Sequence, residues 1–312
     1  MNGVVPGALH SGDQTCTFTV WAPAARQVAL RLLSPRRRDV PLIPGERGYY
    51  SAMVSDVPAG TRYVYVLDGV ERPDPASRYQ PEGVHGPSEV CSRGFHWTDG
   101  AWQGLPLTDY VIYELHVGVF TPEGSLDAIV PRLAGLRELG ITAIELMPVA
   151  QFPGERNWGY DGCYPYAVQH SYGGPLALKR FVDACHAAGL AAVLDVVYNH
   201  LGPEGNHAGD FGPYFTDRYR TPWGPAINFD GPGSDEVKRF FIENALYWFR
   251  EFHFDALRLD ALHAILDMSA EPFLADLSTD VERLRKQTGR KLYLIGESDL
   301  NDPRLIREKA RG

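Results

Sequence analysis

Along roughly the first 95 residues, apolar and polar positions alternate with a period of two and never settle into a helical period. Thr17-Phe18-Thr19-Val20-Trp21 alternates cleanly. Val28-Ala29-Leu30-Arg31-Leu32-Leu33 and Tyr63-Val64-Tyr65-Val66-Leu67 are rich in strand formers, and turn residues punctuate them. This pattern predicts an all-β, immunoglobulin-like sandwich over residues 1–95.

From about residue 105 the pattern changes to strand then helix, repeated. Residues 111–117 form an apolar strand. Leu126, Ile129, Leu133, Leu136 and Leu139 then recur at helical spacing until Gly140. Residues 143–148 make a second strand. Leu176, Phe181, Val182 and Cys185 fit a second helix, closed by Gly189. Residues 191–198 are a nearly continuous apolar third strand. Ser234 is expected to cap a helix, with Asp235 and Glu236 in its first turn. Residues 255–261 form a fourth strand, 271–288 a helix, and 292–295 open a fifth strand.

Apolar strands separated by amphipathic helices imply a parallel sheet covered by helices. The polar residues choose between architectures. Glu114 and His116, Asp195 with Asn199 and His200, Arg258 with Asp260, and Glu297 all fall toward the C-terminal ends of separate strands. A (β/α)8 TIM-type barrel gathers such residues at one mouth. No Gly-rich phosphate loop follows the first strand, which opposes a dinucleotide fold. The second domain is therefore expected over 105–312, with about the first five barrel strands present.

Composition narrows the partners. The 312-residue chain is 44% hydrophobic, and its net charge of −9 opposes nucleic acid or an anionic membrane as partner. No apolar run is long enough to span a bilayer. Met1 to Gly7 lack a charged segment followed by an apolar core, so a cytoplasmic location is expected. Cys16, Cys91, Cys163 and Cys185 show no C-x-x-C spacing and read as buried free thiols. The run Arg36-Arg37-Arg38 reads as a solvated loop.

Breaking a glycosidic bond needs an acid for the leaving oxygen and a carboxylate for the oxocarbenium-like centre. Asp260 and Glu297 end consecutive strands, so their side chains can converge. Arg258 lies two residues before Asp260 and so shares its face, where it would keep Asp260 ionised. Glu297 must hold a proton at neutral pH, which calls for burial or a nearby anion. Gly296 permits a close backbone approach. Asp195, Asn199 and His200 form a strand-end group suited to sugar hydroxyls. Tyr160, in Trp158-Gly159-Tyr160-Asp161, offers either a stacking face or a loop anchor. No metal or other cofactor is expected, because no ligand spacing suggests one.

Asp195-Val-Val-Tyr-Asn199-His200, Leu257-Arg258-Leu259-Asp260-Ala261 and Gly296-Glu297-Ser298 resemble the first three signature regions of the α-amylase superfamily, glycoside hydrolase family thirteen. Phe18-Thr-Val-Trp21-Ala-Pro23 resembles the β-sandwich that precedes the barrel in branching, debranching and trehalose-releasing members. Tyr113-Glu-Leu-His116, Gln151-Phe-Pro-Gly154, Thr221-Pro-Trp-Gly224 and Glu297-Ser-Asp-Leu-Asn-Asp-Pro303 point to the trehalose-releasing members.

The resemblance implies a retaining hydrolase cleaving the α-1,4 bond beside the terminal trehalose of maltooligosyl trehalose. It implies Asp260 as nucleophile, Glu297 as acid/base and Arg258 as orienter of Asp260. His200, Asn199, Tyr160 and Trp158 would meet the sugar, His263 would lie near the acceptor side, and Asp195 would be mainly structural. The superfamily's fourth region, with a third carboxylate, lies beyond the fifth strand. The expectation is an incomplete, impaired chain, either a truncation or half of an enzyme that a second polypeptide completes. The alternatives are a branching or debranching enzyme of the same superfamily, and a non-catalytic glucan-binding module.

Overall fold

The computed structural model describes residues 4–307. Nine short strands come first: β1 (Gly7–His10), β2 (Cys16–Trp21), β3 (Val28–Leu32), β4 (Arg38–Pro41), β5 (Ile43–Pro44), β6 (Tyr49–Val54), β7 (Arg62–Leu67), β8 (Val70–Arg72) and β9 (Ser88–Glu89). They pair as two antiparallel sheets. One has the order β1-β2-β6-β5. The other runs β4-β3-β7-β8, with β9 also pairing with β7. Phe18, Val20, Leu30, Tyr63 and Tyr65 point between them and are buried, as the period of two requires.

The second half contains β10 (Ile112–Leu115), α1 (Val117–Phe120), α2 (Leu126–Ile129), α3 (Leu133–Glu138), β11 (Ala143–Leu146), β12 (Ala150–Gln151), β13 (Tyr164–Val168) and α4 (Gly174–Ala187). It continues through β14 (Ala191–Val196), α5 (Ala208–Phe211), β15 (Phe215–Thr221), β16 (Gly224–Ile227), α6 (Ser234–Glu251), β17 (Ala256–Leu259), α7 (Phe273–Thr288) and β18 (Tyr293–Gly296). Five strands form one parallel sheet in the order β10-β11-β14-β17-β18. Each pairs with the next in chain order, as the first part of a barrel does. Hairpins β12–β13 and β15–β16 stand on the loops after β11 and β14.

The middle of the sheet is dry: every residue of β11 and β14 is buried. The edges differ. Ile112 on β10 is exposed, and Tyr293, Leu294 and Ile295 on β18 are only half-buried.

Local chemistry explains three departures from the sequence expectation. The helix expected from Leu126 to Leu139 is broken, with a 3-10 turn over Val130–Arg132 between α2 and α3, where Pro131 removes an amide donor. Ser234 does not cap α6. The cap position is Gly233, whose φ of 81° few other residues adopt, and Ser234 already lies inside the helix. Cys16, Cys163 and Cys185 are buried free thiols, but Cys91 is partly exposed where the chain leaves the sandwich. Gly140 and Gly189 do end their helices with positive φ, at 98° and 73°.

The two halves pack on each other. Trp21 meets Tyr214 edge-on with ring centroids 5.3 Å apart, and the Tyr49 hydroxyl donates to Glu236 of α6 at 2.7 Å. No helix among the described residues is long and apolar enough to cross a membrane.

Candidate active site

The C-terminal ends of β14, β17 and β18 carry the chemistry. The parallel register sets Asp195 opposite Arg258 and Leu259 opposite Gly296, so Asp260 and Glu297 emerge side by side. Arg258 is the hub. Its Nη1 donates to Asp195 Oδ2 at 2.6 Å and to Asp260 Oδ1 at 3.0 Å, and its Nη2 lies 3.8 Å from Glu297 Oε2. Burial works against its charge, yet Asp195, Tyr160, Asp260 and Glu297 together raise its pKa above the usual value. The second Asp260 oxygen accepts from Asn199 Nδ2 at 2.9 Å, and the same amide donates to the Asp260 carbonyl at 2.9 Å. The Asp260 carboxylate is thus held in one orientation by two donors.

Asn199 in turn sits against His200, with Oδ1 2.5 Å from Nδ1, and the His200 Nε2–H donates to the Tyr160 carbonyl at 2.8 Å. Burial lowers the His200 pKa, against the Tyr160 carbonyl, Asp260 and Asp161. The Tyr160 hydroxyl donates to Asp195 Oδ2 at 3.0 Å. Its loop reaches the strand ends because Gly159 has φ of 101° and passes so close to Pro148 that a Cβ would lie 2.2 Å from the Pro148 carbonyl oxygen. Gly296 packs against a side chain rather than backbone: a Cβ there would meet Leu262 Cδ1 at 2.5 Å.

Glu297 departs from expectation. Its carboxylate accepts from the Ala261 N–H at 2.7 Å, its other neighbour is the Arg258 guanidinium, and 41% of its side chain is exposed. The side chain stands open because β18 is an edge strand, paired only with β17 among the described residues. The Ala261 N–H points at Glu297 because Ala261 adopts φ of 44°, a left-handed conformation that is strained for alanine. Sequence reading had no signal for this kink.

Two further features escaped the sequence. Glu145, buried on β11, joins Glu114 and Asp195 with carboxylate oxygens within 4.8 Å of one another. These three would be the ligands of any cation here, but Arg258 already supplies positive charge to Asp195. Burial raises the Asp195 pKa to about 7 and also raises that of Glu145. Trp223, at the tip of the β15–β16 hairpin, stacks on His200 with centroids 5.1 Å apart. Its signal was present in Thr221-Pro-Trp-Gly224. Trp158 and His263 lie outside the hydrogen-bonded cluster. Trp158 is 75% exposed on the Tyr160 loop, and His263 Nδ1 lies 3.5 Å from Asp299.

Comparison with known proteins finds matches in both halves of the chain. Residues 5–79 match the carbohydrate-binding module 48 (isoamylase N-terminal domain), and residues 89–217 match the alpha amylase catalytic domain. The chain is 50% identical over 296 residues to a malto-oligosyltrehalose trehalohydrolase of Saccharolobus solfataricus, covering 95% of this chain and 51% of that one. A crystal structure from Salmonella typhimurium, provisionally described as an alpha amylase, superposes with a TM-score of 0.88 at 42% identity, covering 95% of this chain and 50% of that one. Pullulanase from Anoxybacillus sp. LM18-11, solved with maltotetraose, gives a TM-score of 0.77 at 25% identity, covering 95% and 49%. The chain spans about half the length of the curated relatives it matches. The matches therefore join a carbohydrate-binding module 48 sandwich to part of an alpha amylase catalytic domain.

Proposed function

We propose that this site hydrolyses the α-1,4-glucosidic bond adjacent to the terminal trehalose of maltooligosyl trehalose, with retention. One observation carries the chemistry: a single guanidinium, Arg258, binds Asp260 and lies 3.8 Å from Glu297, holding a carboxylate pair together at the strand ends. The 50% identity to a trehalohydrolase supports the substrate.

In this reading Asp260 attacks the anomeric carbon as Glu297 protonates the leaving oxygen, forming a glycosyl ester. Glu297 then takes a proton from water, which releases the sugar and restores Asp260. Arg258 and Asn199 keep the Asp260 carboxylate aimed. His200, Tyr160 and Trp158 contact the glucosyl unit, and His263 lies on the acceptor side. Asp195 positions Arg258 and Tyr160. Further strands, from the same or a second polypeptide, pair with the free edges of β10 and β18 and bury Glu297, raising its proton affinity. The domain division at 1–95 and 105–312 and a cytoplasmic location belong to the same proposal.

The test is product analysis. The chain, alone and with a segment supplying the remaining strands, is incubated with maltooligosyl trehalose and the products are separated. Free trehalose and a maltooligosaccharide whose new reducing end is initially the α-anomer are expected, and Asp260→Asn should abolish both. Glucan transfer, α-1,6 cleavage, or glucan binding without turnover in the completed protein would overturn the reading.

A further inference from the structure

A cavity of about 150 Å³ opens where β1, residues 91–93, α4 and α6 meet, at the junction of the two domains. It shares no residue with the cluster around Asp260. Val5, Ala8, Leu9 and Phe252 give it apolar walls. Two cations on its lining, Arg78 and Lys179, are each only 5% exposed.

Neither cation is neutralised. The Arg78 guanidinium carbon lies 4.3 Å from the ring centroids of both Tyr166 and Tyr247, and its Nη2 donates to the Pro6 carbonyl at 2.8 Å. Its Nη1 is buried and has no hydrogen-bond partner among the described residues. Lys179 Nζ lies 5.6 Å from the Phe252 ring centroid, and among the described residues it has neither a hydrogen bond nor an ion pair. Burial lowers the Lys179 pKa, against the pull of Glu251 and Cys91.

The other charges on the lining are committed elsewhere. Glu251 binds Arg93. Glu243 lies 3.6 Å from Arg250 and 3.3 Å from Arg239. Four lining cations therefore face two acids. Asp74 also acts on Arg78, but it is bonded to the Tyr63 hydroxyl and the Ala76 N–H, and burial pushes its pKa up to about 6.

A buried guanidinium with an unpartnered Nη1, beside a lysine without an ion pair among the described residues, favours an anion in the cavity. At about 150 Å³ the cavity has room for a group the size of one tetrahedral oxyanion. Pro175, in the first turn of α4, also lines it, adding the positive end of a helix. We infer that this inter-domain cavity binds a phosphate-sized oxyanion through Arg78 Nη1 and Lys179 Nζ, as the free ion or as the phosphoryl group of a small sugar phosphate. Such a ligand ties the sandwich, through Arg78, to α4 of the barrel, so occupancy stiffens the domain junction.

The experiment titrates the chain with orthophosphate and, separately, with glucose 6-phosphate at ionic strength matched by sodium chloride. Melting temperature and calorimetric heat are followed. Saturable binding is expected, with Tm rising by roughly 5 °C at a hundred-fold excess over Kd. Lys179→Met should keep or raise the ligand-free Tm, because it removes an unpaired buried charge, while weakening binding at least about ten-fold. Arg78→Lys keeps the charge but loses the fork and should also weaken binding. Tighter binding of glucose 6-phosphate assigns the site to a sugar phosphate, and tighter orthophosphate assigns it to the free ion. No response to either probe beyond the salt control, or a response that Lys179→Met keeps in full, overturns the inference.

Discussion

Strand β17 carries an aspartate at each end, and the two ends of the sheet use the same residue types to opposite effect. At the N-terminal end Asp255 is fully buried. It accepts from Trp102 Nε1 at 2.8 Å, from the Ala192 N–H at 2.8 Å and from Arg290 at 3.3 Å, and it lies 3.0 Å from His186 Nε2. The other nitrogen of His186 lies 2.8 Å from Asp99, which also meets His253 at 2.8 Å. Burial alone would raise the Asp99 pKa, but His186 and His253 outweigh it and hold it near about 2. Burial opposes charge on His186, yet Asp255 and Asp99 raise its pKa. At the C-terminal end Asp195 is equally buried, but its Oδ1 has no partner among the described residues and its pKa is pushed up to about 7. The lower cluster pairs its carboxylates with histidines, backbone and arginine, leaves Arg290 Nε without a partner among the described residues, and anchors the linker carrying Asp99 and Trp102. The upper cluster leaves Asp195 Oδ1 without a partner among the described residues, and the proposed function would have substrate meet this end of the sheet.

The sharpest way to break this comparison is to substitute the two ends of one strand. Asp260→Asn should cost about 10⁴-fold or more in kcat for trehalose release by the completed protein, with a denaturant midpoint close to wild type. Asp255→Ala should do the reverse. It strands Arg290, Trp102 and the Ala192 N–H without an acceptor and should lower stability by about 3–5 kcal/mol in urea titration. If Asp255→Ala left stability intact, or Asp260→Asn unfolded the chain, the two ends would not divide the labour as described.

A smaller effect is expected at Gly159, which brings Tyr160 to Asp195. Gly159→Ala places a methyl group against the Pro148 carbonyl at positive φ, and should cost about 2–4 kcal/mol in denaturant titration. An unchanged midpoint would show that the loop can reach the upper cluster by another path.

The upper end was far more legible in the sequence than the lower. Arg258 and Asp260 share a face because strands repeat every two residues, and a parallel register set by neighbouring apolar strands then places Glu297 beside them. Those are local rules. The lower cluster is assembled from Asp99, His186 and Asp255, residues 69 to 87 positions apart in its individual bonds, and no local pattern links them. The Ala261 kink was invisible because alanine carries no preference for positive φ. Ser234 misled because a serine before an acidic turn looks like a cap, while Gly233 could take the left-handed position. Glu145 was hidden by the apolar run around it, which reads as strand and nothing more.

The pH dependence of stability gives the smallest effect and probes the upper cluster directly. A carboxyl whose folded pKa is raised binds its proton more tightly in the native state than in the unfolded chain. Between the ordinary value of 3.8 and about 7, native Asp195 therefore holds more proton than unfolded Asp195, and stability falls as pH rises through that window. Asp195→Asn removes this loss while Glu145, Glu114, Asp260, Tyr160 and Arg258 still face the position. The variant should gain on wild type by roughly 1–2 kcal/mol between pH 5.5 and pH 7 in urea titrations. The opposite slope would mean that Arg258 outweighs burial at Asp195. The upper cluster would then pair its carboxylates like the lower one, and the contrast between the two ends of β17 would fail.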